Sequence, residues 1–147
     1  MEPVDTLVCA RWVLPVEPDG TVLADHAVAM RDGRIVAVLP IAAALATYTP
    51  AELVERPQHA LLPGLVNAHT HAAMTLLRGR AENLALAPWL QDAIAPIEQR
   101  WVDPEYVRDG TELAIAEMLR GGVTCFADMQ LWPEVVARAA ADAHMRV

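Results

Sequence analysis

The sequence predicts an α/β protein in which a small β-rich segment precedes the start of a parallel, helix-covered sheet. Three observations carry that expectation. Residues up to about 60 form a succession of short β-prone runs separated by turn residues. After Pro63-Gly64 the pattern changes to strand, helix, strand, helix and the approach to a third strand, the order expected of parallel α/β sheets. At the junction lies Leu61-Leu62-Pro63-Gly64-Leu65-Val66-Asn67-Ala68-His69-Thr70-His71, a buried-type strand ending in two histidines.

Taken in order, Thr6 to Leu14 is apolar and β-prone, and Pro15 to Gly20 supplies turn residues. His26 to Arg31 and Arg34 to Leu39 flank Asp32-Gly33, a strong hairpin signal. Ile41 to Ala46 reads as a short Ala-rich helix, and Leu53-Val54-Glu55-Arg56 as a short strand stopped by Pro57. A segment of this size buries little core on its own and should need a partner. The expected boundaries are 1–60 for this part and 61–147 for the α/β part.

Leu65 to His69 is a short apolar run, as in a strand buried on both faces. The next clear helix starts at Asp103-Pro104, an N-cap followed by the residue favoured at the first helical position, and stops at Gly121-Gly122. Its stripe is Val107, Thr111, Ala114, Ile115, Met118 and Leu119. Val123 to Asp128 reads as a second buried strand, Pro133 opens another helix, and His144 to Val147 approaches a third strand. The stretch from Ala72 to Val102 far exceeds the usual two to six residues of a βα loop, a length that points to function. Within it, Pro88 to Ala95 and Pro96 to Arg100 read as helical pieces broken at Pro96.

The chain of 147 residues is 54% hydrophobic and carries a net charge of -8. That composition fits a globular protein rather than a disordered one. It contains no lysine and no arginine cluster, which argues against a nucleic-acid or anionic-membrane surface. No apolar run reaches the roughly 18 residues of a membrane span, and the N-terminus lacks the pattern of a signal peptide, so the cytoplasm is the expected compartment. Cys9 and Cys125 stand far apart in apolar contexts and read as small buried hydrophobes.

The chemistry-bearing signal is His69-Thr70-His71. Residues i and i+2 of a strand share a face and lie about 6.6 Å apart along it, so two imidazoles can converge on one ion. On spacing alone, however, a surface or satisfied core pair is an equally good reading. His26, His59 and His144 have no partner at ligand spacing and suit solvated or capping roles. Asp128 at the end of the second strand suits orienting a loop or capping the next helix. Glu117 and Arg120 stand three apart on a helix, as in an exposed ion pair. Arg78 and Arg80 suit solvated or loop-bracing roles over a substrate carboxylate, and Met74 and Met118 suit packing.

From Pro63 to His71 the sequence resembles the amidohydrolase superfamily, whose first barrel strand carries a His-x-His metal pair. Ala72-Ala73-Met74-Thr75-Leu76-Leu77-Arg78-Gly79, Glu82, Trp89-Leu90 and Ala116 through Met129 narrow the resemblance to the 5-methylthioadenosine/S-adenosylhomocysteine deaminases. The run through Asp32-Gly33-Arg34-Ile35 is similar to that group as well. The resemblance implies a metal-dependent hydrolase (β/α)8 TIM barrel beside a small β-sandwich, incomplete here because a barrel takes about 250 residues. It implies that His69 and His71 bind one divalent metal per active site, usually zinc, and that Glu82 and Trp89 contact substrate. A further His, a late Asp and a proton-shuttling Glu, the catalytic residue, are expected beyond Val147, which leaves no catalytic residue here and an inactive fragment.

The implied reaction is hydrolytic deamination of a small nucleoside, with self-association into a homo-oligomer expected of the full-length protein. Asn83 and Gln130 depart from the pattern usual in that group and bear on substrate detail. Guanine or cytosine deaminases, triazine hydrolases and a non-catalytic relative are the alternative readings.

Overall fold

The computed structural model describes residues 1–81 and 83–147. By backbone contacts the chain divides into two compact units, Met1–Pro63 and Gly64–Val147.

The first unit is a four-stranded sheet in the order β3-β2-β1-β4. Its strands are β1 (Glu2–Val13), β2 (Leu23–Arg31), β3 (Arg34–Pro40) and β4 (Tyr48–Leu61), with helix α1 (Ile41–Thr47) between the last two. β1 pairs antiparallel with β2 and parallel with β4. The β2–β3 turn uses Asp32 at φ 54° and Gly33 at φ 69°, the paired positive values that a two-residue type I′ turn demands. Asp5 Oδ2 accepts from the Asp32 amide at 2.7 Å and ties that turn to β1.

Val4, Leu7, Cys9, Ala27 and Ala29 cluster with Ala44 of α1, and Ala10, Val13 and Val28 form a second cluster. Burial, with Glu55 adding repulsion, pushes the Cys9 thiol above its ordinary pKa. Ile35, Val38 and Leu53 remain exposed, in keeping with the small core that so short a segment can build.

The fourth strand departs from the expected four-residue piece, running from Tyr48 to Leu61 through two prolines. An edge strand has one row of amides without a ladder partner, where proline does least harm. Register also shifts: Ala10 pairs with Arg56 but Trp12 with Ala60, so Pro57 falls in a bulge rather than a strand end.

The second unit contains β5 (Leu65–Thr70) and β6 (Val123–Asp128), paired in parallel. Between them lie a 3₁₀ helix (Ala72–Leu77), α2 (Leu86–Pro88), a π-helical stretch (Trp89–Ile94), α3 (Ala95–Trp101) and α4 (Pro104–Arg120). Helix α5 (Pro133–Asp142) follows β6. Arg146 then forms an isolated parallel bridge with Cys125. Asp103 caps α4 by accepting from the Tyr106 amide at 2.8 Å. At the other end Gly122 takes φ 80°.

Ala72, Ala73, Val107, Ala114, Ile115, Phe126, Val136, Ala139, Ala140 and Met145 form one core. Gly64 is required by closeness, since a Cβ there would run into the Thr124 side chain. Among the described residues no helix is long and apolar enough to cross a membrane.

Three expectations for this unit need correcting. β5 is not buried on both faces, for Leu65 is 56% and Val66 66% exposed. An apolar strand is buried only where neighbours cover it, and within this unit β5 has β6 on one edge and α4 below, where Asn67 Nδ2 donates to Met118 Sδ at 3.8 Å. Residues 86–101 do not break at Pro96 but run on as helix, with π-helical winding just before the proline. Wider winding relieves the clash between a proline ring and the carbonyl four residues back. Glu117 pairs not with Arg120 but with Arg78, which donates to both its oxygens at 2.8 and 2.6 Å. A two-pronged guanidinium–carboxylate fit outcompetes a single i,i+3 contact on a helix.

Candidate metal centre at the end of β5

His69 lies in the last turn of pleat of β5 and His71 directly after the strand. Across the ladder Asn67 pairs with Phe126 and Thr70 with Asp128, so β5 holds one more residue than β6 in that interval. Such a bulge re-aims side chains at a strand end. Here the two imidazoles meet edge to face, with centroids 5.2 Å apart and planes at 82°. Backbone at His71 is neither strand nor helix (φ -119°, ψ 77°), and its carbonyl accepts from the Met74 amide at 2.9 Å.

The His71 ring has a fixed partner, for its Nδ1 stands 2.7 Å from the Met129 carbonyl. A carbonyl oxygen can only accept, so Nδ1 carries the proton, and a neutral ring then has its lone pair on Nε2. Metal-ligating histidines are held in this way, through the nitrogen that does not bind the ion. For His69 the backbone amide donates to Asn67 Oδ1 at 3.3 Å. Both imidazoles are reachable, His69 exposed and His71 half-buried. Among the described residues no group of three or more His, Cys, Asp or Glu is placed to hold a metal ion, so the pair supplies half of a four-coordinate set. Two neutral imidazole nitrogens suit zinc and neighbouring divalent metals rather than calcium or magnesium, which prefer oxygen.

Of the other residues singled out in the sequence, Trp89 is half-buried at the start of the π-helical stretch. Glu82 lies outside the described residues. Asp128 accepts from the Ala72 amide at 2.7 Å and so holds the turn that follows His71. Arg78 braces α4 through Glu117, and Arg80 is exposed. His26 Nδ1 meets the Ala24 carbonyl at 2.8 Å, while His59 and His144 are exposed. Gln130 Oε1 accepts from the Leu131 amide at 3.1 Å, and its Nε2 is buried without a partner.

Two contributors escaped the sequence reading. The Met129 carbonyl is a backbone group 58 positions from His71 and leaves no sequence signal. Gly110 lets α4 approach the 3₁₀ helix, since a Cβ there would lie 2.5 Å from the Ala73 carbonyl oxygen. Its signal was available, because a glycine within a helical stripe is unfavourable unless something packs close.

The sequence profile described as the Amidohydrolase family matches residues 60–147. The chain belongs to the amidohydrolase family. Among curated amidohydrolase relatives, the 5-methylthioadenosine/S-adenosylhomocysteine deaminase of Saccharophagus degradans is 48% identical over 144 residues, covering 98% of this chain and 32% of its own length. A solved adenosine deaminase from Xanthomonas campestris with bound zinc is 53% identical, with a TM-score of 0.97 over 99% of this chain and 33% of its own. Atrazine chlorohydrolase from Arthrobacter aurescens, complexed with zinc, superposes with a TM-score of 0.84 over 96% of this chain and 34% of its own. At 22% identity that likeness shows the amidohydrolase fold alone. The chain thus spans about a third of the length of these relatives.

Proposed function

We propose that this amidohydrolase chain contributes to a metal-dependent hydrolytic deaminase acting on 5′-methylthioadenosine or S-adenosylhomocysteine, giving the inosyl product and ammonia. The observation that carries the reading is the His69–His71 pair with the His71 Nδ1 proton committed to Met129. Support for the substrate class comes from the names of relatives that match nearly all of this chain.

His69 and His71 would hold the ion through ring nitrogens at the mouth formed by the ends of β5 and β6. When bound, a divalent metal, zinc by preference, supplies Lewis acidity that makes water nucleophilic near neutral pH. His71 contributes a fixed lone pair, and the Met129 carbonyl keeps its proton away from that nitrogen. Glu82 would accept hydrogen bonds from the ribose hydroxyls, as an ionised carboxylate can. Trp89 would form one wall of the substrate site. Further ligands and the group that protonates the leaving nitrogen would have to come from other residues of the full-length protein.

In this reading residues 1–60 would form part of a small β-sandwich and residues 61–147 would open a (β/α)8 barrel with β5, α4, β6 and α5. The full-length protein would assemble with copies of itself. Supplying it in turn with methylthioadenosine, S-adenosylhomocysteine, guanine, cytosine and a chlorinated triazine, and measuring ammonia or chloride, tests the reading. Ammonia from the two nucleosides is expected. Reaction with a non-nucleoside base or triazine alone would overturn it.

A further inference from the structure

The end of β6 grips the histidine turn at three points. The Met129 amide donates to the Thr70 carbonyl at 3.1 Å, the His71 Nδ1 donates to the Met129 carbonyl at 2.7 Å, and the Ala72 amide donates to Asp128 Oδ1 at 2.7 Å. Thr70, between the two histidines, is also the ladder partner of Asp128. The ring of His71 and the backbone on both sides of it are therefore referenced to two consecutive residues of one strand end.

The Asp128 bond differs from the other two because a side chain makes it. Ala72 is fully buried and opens the 3₁₀ helix, so its amide has no earlier helical carbonyl to use and needs an acceptor. A carboxylate oxygen at 2.7 Å is a strong one. It fixes the chain direction where β5 ends and the 3₁₀ helix begins, which is the His71 backbone itself. Without it the ring could keep its bond to Met129 while the backbone beneath it swung.

We propose that Asp128 is a positioning residue of the metal centre, aiming His71 Nε2 at the ion by holding the Ala72 amide. The proposal rests on the reading of His69 and His71 as metal ligands. It requires the acceptor oxygen of Asp128 and not its charge, and it gives Asp128 no contact with ion or substrate.

The test is made in the full-length protein, by zinc affinity in competition with a chromophoric chelator and by the visible spectrum of the cobalt-substituted form. Asp128→Ala should weaken zinc binding by about 10- to 100-fold, the usual effect of losing an outer-shell partner, and alter the cobalt spectrum. Asp128→Asn keeps an oxygen for the Ala72 amide and should stay close to the parent in both. If Asp128→Ala does not fold, Asp128→Ser, whose oxygen reaches less far, takes its place with the same loss expected. Parent-like affinity and spectrum in the Ala or Ser variant would overturn the proposal. An Asn variant as impaired as the Ala variant would also overturn it, by making the charge the active feature. Undiminished zinc affinity in His71→Ala would overturn the ligand reading itself, which separates that failure from a failure of Asp128 alone.

Discussion

His71 Nδ1 lies 2.7 Å from the carbonyl oxygen of Met129, so a backbone group just past β6 decides which nitrogen of the histidine just past β5 is free. The relation joins the fold to the chemistry. Parallel pairing of β5 with β6 puts the two strand ends side by side, and the extra residue in β5 before Thr70 turns the imidazoles toward each other. Metal affinity of the site should then respond to changes in β6 and α4 that touch neither histidine.

Gly110 offers the first such change. A Cβ at this position would lie 2.5 Å from the carbonyl oxygen and 2.7 Å from the Cα of Ala73, both backbone atoms that cannot rotate away. In an exposed helix Gly→Ala would stabilise by about 1 kcal/mol. Here overpacking of about 1–3 kcal/mol should prevail. Gly110→Ala is expected to lower the urea midpoint and weaken zinc binding, since the displaced segment begins one residue after His71. A more stable variant with unchanged zinc affinity would contradict the close approach.

The Arg78–Glu117 pair gives a pH-dependent expectation. Hydrogen bonds from Arg78 hold the Glu117 carboxyl below its ordinary 4.5, against partial desolvation and with help from the guanidinium charge. A carboxyl depressed in the folded state stabilises the fold fully above its unfolded value, and that contribution is lost as pH falls through the lower folded value. Glu117→Gln should therefore be less stable than the parent at neutral pH, and the two should converge well below pH 4.5. Added salt should narrow the neutral-pH gap, because the pair is exposed. A gap that widens in acid would contradict the assignment.

Much of the architecture was legible because it follows local rules. Asp32-Gly33 specified its turn through two positive φ angles, and Asp103-Pro104 and Gly121-Gly122 bracketed α4. Features set by distant partners were not legible. β4 extends past Pro57 because β1 runs beside it, and Glu117 leaves Arg120 for Arg78 because the 3₁₀ helix brings that guanidinium across. The apolar run of β5 told of a strand but not of what covers it. At the site, His69 and His71 could be named as a pair from the sequence, whereas their mutual orientation depends on a bulge and on Met129, neither of which has a residue signature.

The 147-residue chain by itself should release no ammonia from methylthioadenosine or S-adenosylhomocysteine, because two imidazoles leave half of a tetrahedral set unfilled among its described residues. Assay of the purified, monodisperse 147-residue chain with added zinc checks this. Turnover by the monomer would show that these residues complete a site by themselves.

If His69 and His71 hold the ion on which the chemistry depends, the metal content of the protein depends on both. Full-length parent, His69→Ala and His71→Ala proteins would be dialysed against the same zinc buffer, confirmed folded by their melting transitions, and measured by atomic emission. About one zinc per parent chain and a large loss in each variant are expected. Equal zinc in all three folded proteins would contradict the ligand reading.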